Sequence, residues 1–406
     1  MDLKLLFSML VLGCCISCTP HSDKEYLRKV RQKMDRVESV SYRMIQQTWE
    51  PGDSDPVYKE EFYVYEHKNP EDTAVGSSYL VARDRAFQQV ETGYDGKVCF
   101  TLDRDEKEVW IDNFTRKRPV AFRLVMPKFF FHTRCILDYA LTTADSVTLS
   151  LQDLGEDYLL SLTVHMPQQV EFFGKPCYMP ENPYVYDPTS VYKVWISKAT
   201  DLPYRSRQEM CLTIVEWECA DFVFDLPDKD LIVAEDFYPE DYTLHRYGEA
   251  RREETADMTG KQAPAWTLTD MNDHPVSLDA LKSKVILLQL TGIGCGPCKV
   301  SIPFLRRLRN LYDQEALEIV AVETWGRKKS SCENYIRNFG INYRFLSGNE
   351  KEIAELVQNY QSGGGVPQFF VIDSERKIVK QISGYAEETT DREIEQQIER
   401  LLGVGE

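Results

Sequence analysis

Cys295-Gly296-Pro297-Cys298 sits where an apolar run gives way to a helical pattern. The run Val285-Ile286-Leu287-Leu288-Gln289-Leu290 has the length of a buried strand, and Val300, Phe304, Leu305, Leu308 and Leu311 recur at helical spacing beyond it. The two cysteines therefore fall on a strand-to-helix junction, where unpaired backbone N–H groups and the positive end of the helix dipole meet the first sulfur. A thiolate is stabilised at such a place. Lowering a thiol pKa from roughly 8.5 to about 7 raises its thiolate fraction at neutral pH from a few per cent to about half. Two cysteines three positions apart on one helical turn also bring their sulfurs within bonding reach. Cys295, nearer the open end, is the expected nucleophile, and Cys298, more buried, the resolving thiol. Half of a zinc site is the competing reading. It needs a second pair or suitably spaced histidines, and His274, the only histidine after residue 262, does not provide them, so no metal is expected.

A chain of 406 residues has room for two or three domains. Its formal net charge of −17 disfavours a nucleic-acid partner, since a phosphate backbone is bound by cationic surface. The N-terminus reads as an export signal: Lys4 precedes an apolar stretch, Leu5 to Gly13, too short to span a bilayer as a helix. Val11-Leu12-Gly13-Cys14 and Cys15-Ile16-Ser17-Cys18 both resemble a bacterial lipobox, so Cys14 or Cys18 is the expected lipidated residue, with a plain secretory signal as the alternative. Lipid at either cysteine anchors a chain to a membrane without spanning it. The expected location is the periplasmic side of a bacterial membrane, a compartment that permits disulfides.

After residues 1–18, residues 22–245 read as one domain, 246–262 as a charged linker and 263–406 as a second domain. A helical pattern is predicted from Ser22 to Trp49 on the spacing of Leu27, Val30, Met34 and Val37. Alternating, aromatic-rich segments between Tyr58 and Phe224 then predict strands, interrupted by a short helix from Pro127 to Ala140. The expected class is α+β, a curved antiparallel sheet with a helix. The Tyr94-Asp95-Gly96-Lys97 turn and the segment Tyr192 to Tyr204 resemble the LolA/LppX-type half-barrel of periplasmic lipoprotein-binding proteins. That resemblance implies a sheet face able to hold acyl chains. The alternative is a filled core acting as a scaffold or partner surface. The aromatic trio Phe129-Phe130-Phe131 reads as core. The single cysteines Cys99, Cys135, Cys177, Cys211 and Cys219 leave open free thiols or one structural disulfide. Cys211 and Cys219 share parity on what reads as one strand, too far apart along it, at about 26 Å, to bond.

From Ala263 onward, short strands alternate with helices, which predicts an α/β sheet. Ala263-Pro264-Ala265-Trp266-Thr267-Leu268, Cys295-Gly296-Pro297-Cys298-Lys299, Pro303 and Gly365-Val366-Pro367-Gln368-Phe369-Phe370 resemble the TlpA/ResA-like thiol–disulfide oxidoreductases of the thioredoxin fold. The resemblance implies a disulfide oxidoreductase whose only redox group is its own cysteine pair. It also implies protein disulfide or thiol substrates and a membrane-anchored redox donor. Pro367 is implied to be a cis-proline facing the pair, with Val366, Gly296 and Pro297 contacting substrate. Three departures stand out. Gly294 replaces the aromatic that usually precedes the first cysteine, which is expected to widen the substrate entrance. Gln289 and Ser301 occupy positions where relatives carry acids. Glu323, at the end of an apolar strand, is read as a solvated carboxylate, with a substitute proton acceptor as the other reading. Cys332 is either incidental or a third redox thiol. A different class of function, a lipid- or lipoprotein-binding carrier with a docking thioredoxin-like domain, competes with the enzyme.

Overall fold

The computed structural model describes residues 20–404, apart from 73, 116–122, 124, 127, 182–184, 186, 227–231 and 248–256. The signal with Cys14 and Cys18, Pro127 at the start of the expected short helix, and most of the expected linker lie outside the described residues.

Helix α1 (Pro20–Asp35) leads into β1 (Ser39–Trp49), β2 (Tyr58–Lys68), β3 (Ser77–Ala82), β4 (Val90–Tyr94), β5 (Cys99–Asp103) and β6 (Glu108–Asp112). Helix α2 (Phe129–Thr142) precedes β7 (Val147–Asp153), β8 (Asp157–Val164), β9 (Val170–Phe172), β10 (Pro176–Tyr178), β11 (Ser190–Ser197), β12 (Leu202–Glu209), β13 (Ile214–Phe224) and β14 (Thr243–Arg246). Twelve of these strands form one sheet, ordered β14-β6-β5-β4-β3-β2-β1-β13-β12-β11-β8-β7. The helix expected to reach Trp49 therefore stops at Asp35. From Ser39 the sequence alternates, burying Val40, Tyr42 and Met44, and β1 is paired on both edges, with β2 and with β13. Ladder pairing on two sides overrides the helical spacing that ends at Val37.

Leu27, Val30 and Met34 of α1 and Phe129, Phe130, Phe131 and Ile136 of α2 pack with the inward residues of the sheet into a single apolar core. Strand β11 shows the pattern most plainly: Tyr192, Val194 and Ile196 are buried while the intervening side chains are half-exposed. One acid is set into this core. Glu66 of β2 is fully buried and accepts hydrogen bonds from the Tyr42 hydroxyl and from the backbone N–H groups of Phe130 (2.9 Å) and Phe131 (3.2 Å). Those N–H groups belong to the first turn of α2 and have no partner within the helix, so the carboxylate caps the helix from the neighbouring sheet. Burial pushes the Glu66 carboxyl above its ordinary range, while the three hydrogen bonds pull the other way.

The second sheet begins with β15 (Thr267–Asp270) and β16 (Pro275–Ser277), followed by β17 (Val285–Thr291), α3 (Gly296–Leu311), β18 (Leu317–Glu323), α4 (Lys329–Phe339), β19 (Arg344–Ser347), α5 (Glu350–Asn359), β20 (Gln368–Ile372), β21 (Ile378–Ser383) and α6 (Thr389–Leu402). Its order is β16-β15-β19-β18-β17-β20-β21, with β17, β18 and β19 mutually parallel, β20 antiparallel to β17, and β21 antiparallel to β20. Every residue of β17 is buried. Val285 and Leu287 pack with α3, α4 and α6; Ile286, Leu288 and Leu290 pack with α5 and with Trp266 on the opposite face. This is the thioredoxin-like α/β sheet. Met258, just after the undescribed part of the linker, is already packed in its core.

The Glu66 cap yields a stability test. Glu66→Ala removes three hydrogen bonds and leaves two buried N–H groups and a buried hydroxyl without an acceptor. The loss is expected to be about 2–4 kcal/mol, read as a lower urea midpoint.

Candidate active site

Strand β17 ends at Thr291, and a tight loop carries the chain to Cys295, the N-cap of α3. The Cys295 sulfur accepts from the Cys298 backbone N–H at 3.2 Å, which satisfies one orphan donor of the helix and aims the helix end at the sulfur. Cys295 and Cys298 are joined as a disulfide, with Sγ–Sγ 2.23 Å and Cα–Cα 5.2 Å. Cys295 is 6% exposed and Cys298 1%. Gly296 and Pro297 are half-buried between them.

The partner loop is brought in by sheet register. Strand β20 runs antiparallel to β17, pairing Leu290 with Gln368. The residues just before β20 therefore lie beside the residues just after β17. The Val366–Pro367 peptide is cis, and the Val366 carbonyl oxygen lies 3.7 Å from the Cys295 sulfur. The Pro367 carbonyl accepts from Gly384 N–H at 2.8 Å, which ties this loop to the end of β21. Cys295, Cys298, Val366, Pro367, Gly296 and Pro297 are thus one cluster.

Three readings from sequence are corrected around it. Gly294 does not open an entrance. A Cβ added there would lie 2.6 Å from Glu50 Oε1, and one added at Gly292 would lie 2.4 Å from the Trp325 ring, so those side chains fill the space. Gly294 has φ +101°, a backbone shape that a β-carbon strains. Glu323 is not solvated but 1% exposed. Its carboxylate accepts from the N–H groups of Arg327 (2.9 Å), Trp325 (3.1 Å) and Ile293 (3.4 Å), lashing the cysteine loop to the β18–α4 turn. Burial raises its pKa, against the pull of those hydrogen bonds. Cys211 lies in the turn between β12 and β13, not on the strand that carries Cys219. Cys99, Cys135, Cys177 and Cys219 stand as free thiols.

Gln289 and Ser301 form a neutral buried pair: the Gln289 amide donates to Ser301 Oγ (2.9 Å), which donates to the Cys298 carbonyl (2.8 Å). A carboxylate does reach the site, from the other domain. Glu50, directly after β1, accepts from Lys299 Nζ at 3.1 Å, with both side chains nearly buried. Asp53, in the same turn, accepts from Ser331 Oγ (2.8 Å) and Asn334 Nδ2 (3.0 Å) of α4. A cavity of about 380 Å³ lies between this turn and the second domain, lined by Glu50, Asp53, Ile293, Lys299, Tyr335 and Phe339 among others. No local sequence signal marks Glu50, which is 249 positions from Lys299. Among the described residues, no cluster of three or more His, Cys, Asp or Glu side chains could hold a metal.

A redox cysteine pair at a helix N-terminus, facing a cis-proline that leads into an inner strand of a thioredoxin-like sheet, defines the class: a thioredoxin-like disulfide oxidoreductase. Residues 258–398 match the Redoxin family. Over the same region the chain is similar to the thiol-disulfide oxidoreductase ResA of Bacillus subtilis (strain 168). The two are 27% identical over 143 residues, 35% of this chain and 76% of that protein. The ResA of Geobacillus kaustophilus (strain HTA426) is 29% identical over 149 residues, 37% of this chain and 81% of that one. Among solved structures, the thioredoxin domain of a thiol-disulfide oxidoreductase from Bacteroides vulgatus overlaps 34% of this chain and 97% of its own, with 24% identity and a TM-score of 0.31. A thiol:disulfide interchange protein from Bacteroides sp. overlaps 36% and 90%, with 23% identity and a TM-score of 0.32.

Thiol reactivity should separate the cysteines of the reduced protein. Cys332 is fully buried, and burial, with Glu323 and Asp53 nearby, pushes its thiol up to about 12. Iodoacetamide at pH 8 with peptide mass spectrometry is expected to label Cys295 first and leave Cys332 unmodified in the native state. Prompt labelling of Cys332 would make it a third redox candidate.

Proposed function

We propose that this chain is an extracytoplasmic enzyme that reduces protein disulfides through its Cys295–Cys298 pair. The observation that carries the reading is the placement of Cys295 at the N-cap of α3, with its sulfur beside the Val366 carbonyl of the cis-Pro367 loop. In the dithiol form, the Cys295 thiolate attacks one sulfur of a substrate disulfide. A mixed disulfide forms and the first substrate thiolate leaves. The Cys298 thiolate then attacks the Cys295 sulfur, closing the internal disulfide and releasing the second substrate thiolate. Two electrons pass to the substrate, and two protons follow them. The internal disulfide returns to the dithiol by exchange with a membrane-anchored dithiol donor. The redox group is the cysteine pair itself.

Pro367 lacks an N–H and bends the chain, which leaves the Val366 backbone placed to pair with an extended substrate segment across the sulfur. Gly296 and Pro297, half-buried between the cysteines, form the other wall. The Gly-Pro dipeptide is the one found in thioredoxin, whose potential is about −270 mV against about −120 mV for the oxidant DsbA, and this supports the reducing direction. The signal-like N-terminus supports export, with lipid on Cys14 or Cys18 holding the chain at the membrane. Among the described residues no helix is long and apolar enough to cross a bilayer. The N-terminal domain, its sheet face packed by α1 and α2, supports a role in substrate selection rather than acyl-chain carriage.

Insulin reduction tests the activity. Wild type is expected to exceed Cys295→Ser by at least tenfold, and equal rates would remove the claim. Cys298→Ser is expected to accumulate a substrate disulfide-linked at Cys295, identifiable by mass spectrometry. A variant that accumulates nothing would remove the assignment of Cys298 as the resolving thiol.

A further inference from the structure

The disulfide site lacks acids at Gln289 and Ser301, yet a carboxylate from outside the second domain lies against it. Glu50 extends from the end of β1, and its Oε1 occupies the place a β-carbon on Gly294 would need, one residue before Cys295. Its Oε2 accepts from Lys299 Nζ, one residue after Cys298. The ion pair thus brackets the four-residue redox motif, with Glu50 against Gly294 on one side and Lys299 on the other. Lys299 is a helical residue whose backbone N–H donates to the Cys295 carbonyl at 3.1 Å, so its stem is fixed relative to the sulfurs. The side chains are 11% and 6% exposed, and charges so shielded from water act on their neighbours with little screening.

The turn that carries Glu50 is seated independently. Asp53 is held by Ser331 and Asn334, and a β-carbon at Gly52 would lie 2.7 Å from the Asn338 amide nitrogen. We propose that Glu50 is a positioning residue of the disulfide site, supplied by the N-terminal domain: it neutralises Lys299 and so sets the charge balance around Cys295 and Cys298. The inference rests on the oxidoreductase reading of that site and adds a role for the first domain in it. The other charged or titratable groups around the motif are Asp53 from the same turn, Cys211 from the β12–β13 turn, Glu323 at the end of β18, Arg327 in the loop after it, and Cys332 and Tyr335 on α4. Val366 and Pro367 on the facing loop, and Gln368 at the start of β20, do not titrate.

The sign follows from electrostatics. With Glu50 ionised, Lys299 contributes little net charge. In Glu50→Gln the amide oxygen still accepts from Lys299, but the ammonium, carried one residue beyond Cys298 on the same helix, is unbalanced and favours the thiolate. The experiment uses the full chain, reduced, and follows iodoacetamide labelling of Cys295 by peptide mass spectrometry as a function of pH. Glu50→Gln is expected to label about three- to tenfold faster than wild type near pH 6.5, with its pH midpoint displaced downward. The double variant Glu50→Gln/Lys299→Gln removes both charges and is expected to return to the wild-type profile. Asp53→Asn removes a carboxylate that is paired with Ser331 and Asn334 rather than with Lys299, and is expected to displace the profile by much less than Glu50→Gln. An unchanged or slower Glu50→Gln, a double variant that keeps the single variant's displacement, or an Asp53→Asn profile displaced like Glu50→Gln would each overturn the proposal. The labelling profile is read without any substrate. A chain inactive on insulin but displaced as described would therefore refute the reductase reading and leave this one standing.

Discussion

The site depends on one strand that cannot move. Strand β17 is buried on both faces and hydrogen-bonded on both edges, to β18 and β20. A strand so enclosed has a single register, because a slip by one residue would exchange its two packed faces. Its end fixes where α3 can begin, and the start of α3 fixes Cys295 at the helix N-terminus. Its pairing with β20 fixes the cis-Pro367 loop against the same sulfur. The chemistry needs the two sulfurs, the open helix end and the proline loop in one place, and this one ladder delivers all of them.

The second constraint comes from outside that sheet. The buried Glu50–Lys299 pair and the Asp53 hydrogen bonds join the β1–β2 turn to α3 and to α4. Taking two charges out of water is costly, and removing one partner of such a pair typically loses about 3–5 kcal/mol because the other is left unbalanced. A pair of this kind adds little net stability over an apolar contact of the same size. Glycine at 294 and at 292 makes the seating possible, since a side chain at either would collide with Glu50 or Trp325. The absence of an aromatic before Cys295, which in sequence looks like an opening, is a socket for another part of the same chain.

What the sequence made legible follows from the range of the forces involved. The strand–helix junction, the cysteine pair and the proline loop are written in short motifs, and the alternation of β11 is visible residue by residue. The helix predicted through Trp49 failed because its second half is decided by ladder partners at β2 and β13, which local spacing does not report. Glu323 departs from its sequence reading for a similar reason: a carboxylate at a strand end is normally solvated, and here backbone N–H groups from two loops, at Ile293 and at Trp325 and Arg327, fold over it. Glu50 left no trace at all, since its meaning arises only when residues 249 positions apart are brought together. Local chemistry was readable; what one domain lends to the other was not.

The most direct test of the central claim is the reduction potential of the Cys295–Cys298 couple in the full chain, equilibrated against glutathione redox buffers and read by differential alkylation. A protein-disulfide reductase with a Gly-Pro motif requires a reversible two-electron couple near the thioredoxin value of about −270 mV. A pair that does not titrate reversibly, or one that titrates near the oxidant value of about −120 mV, would contradict it.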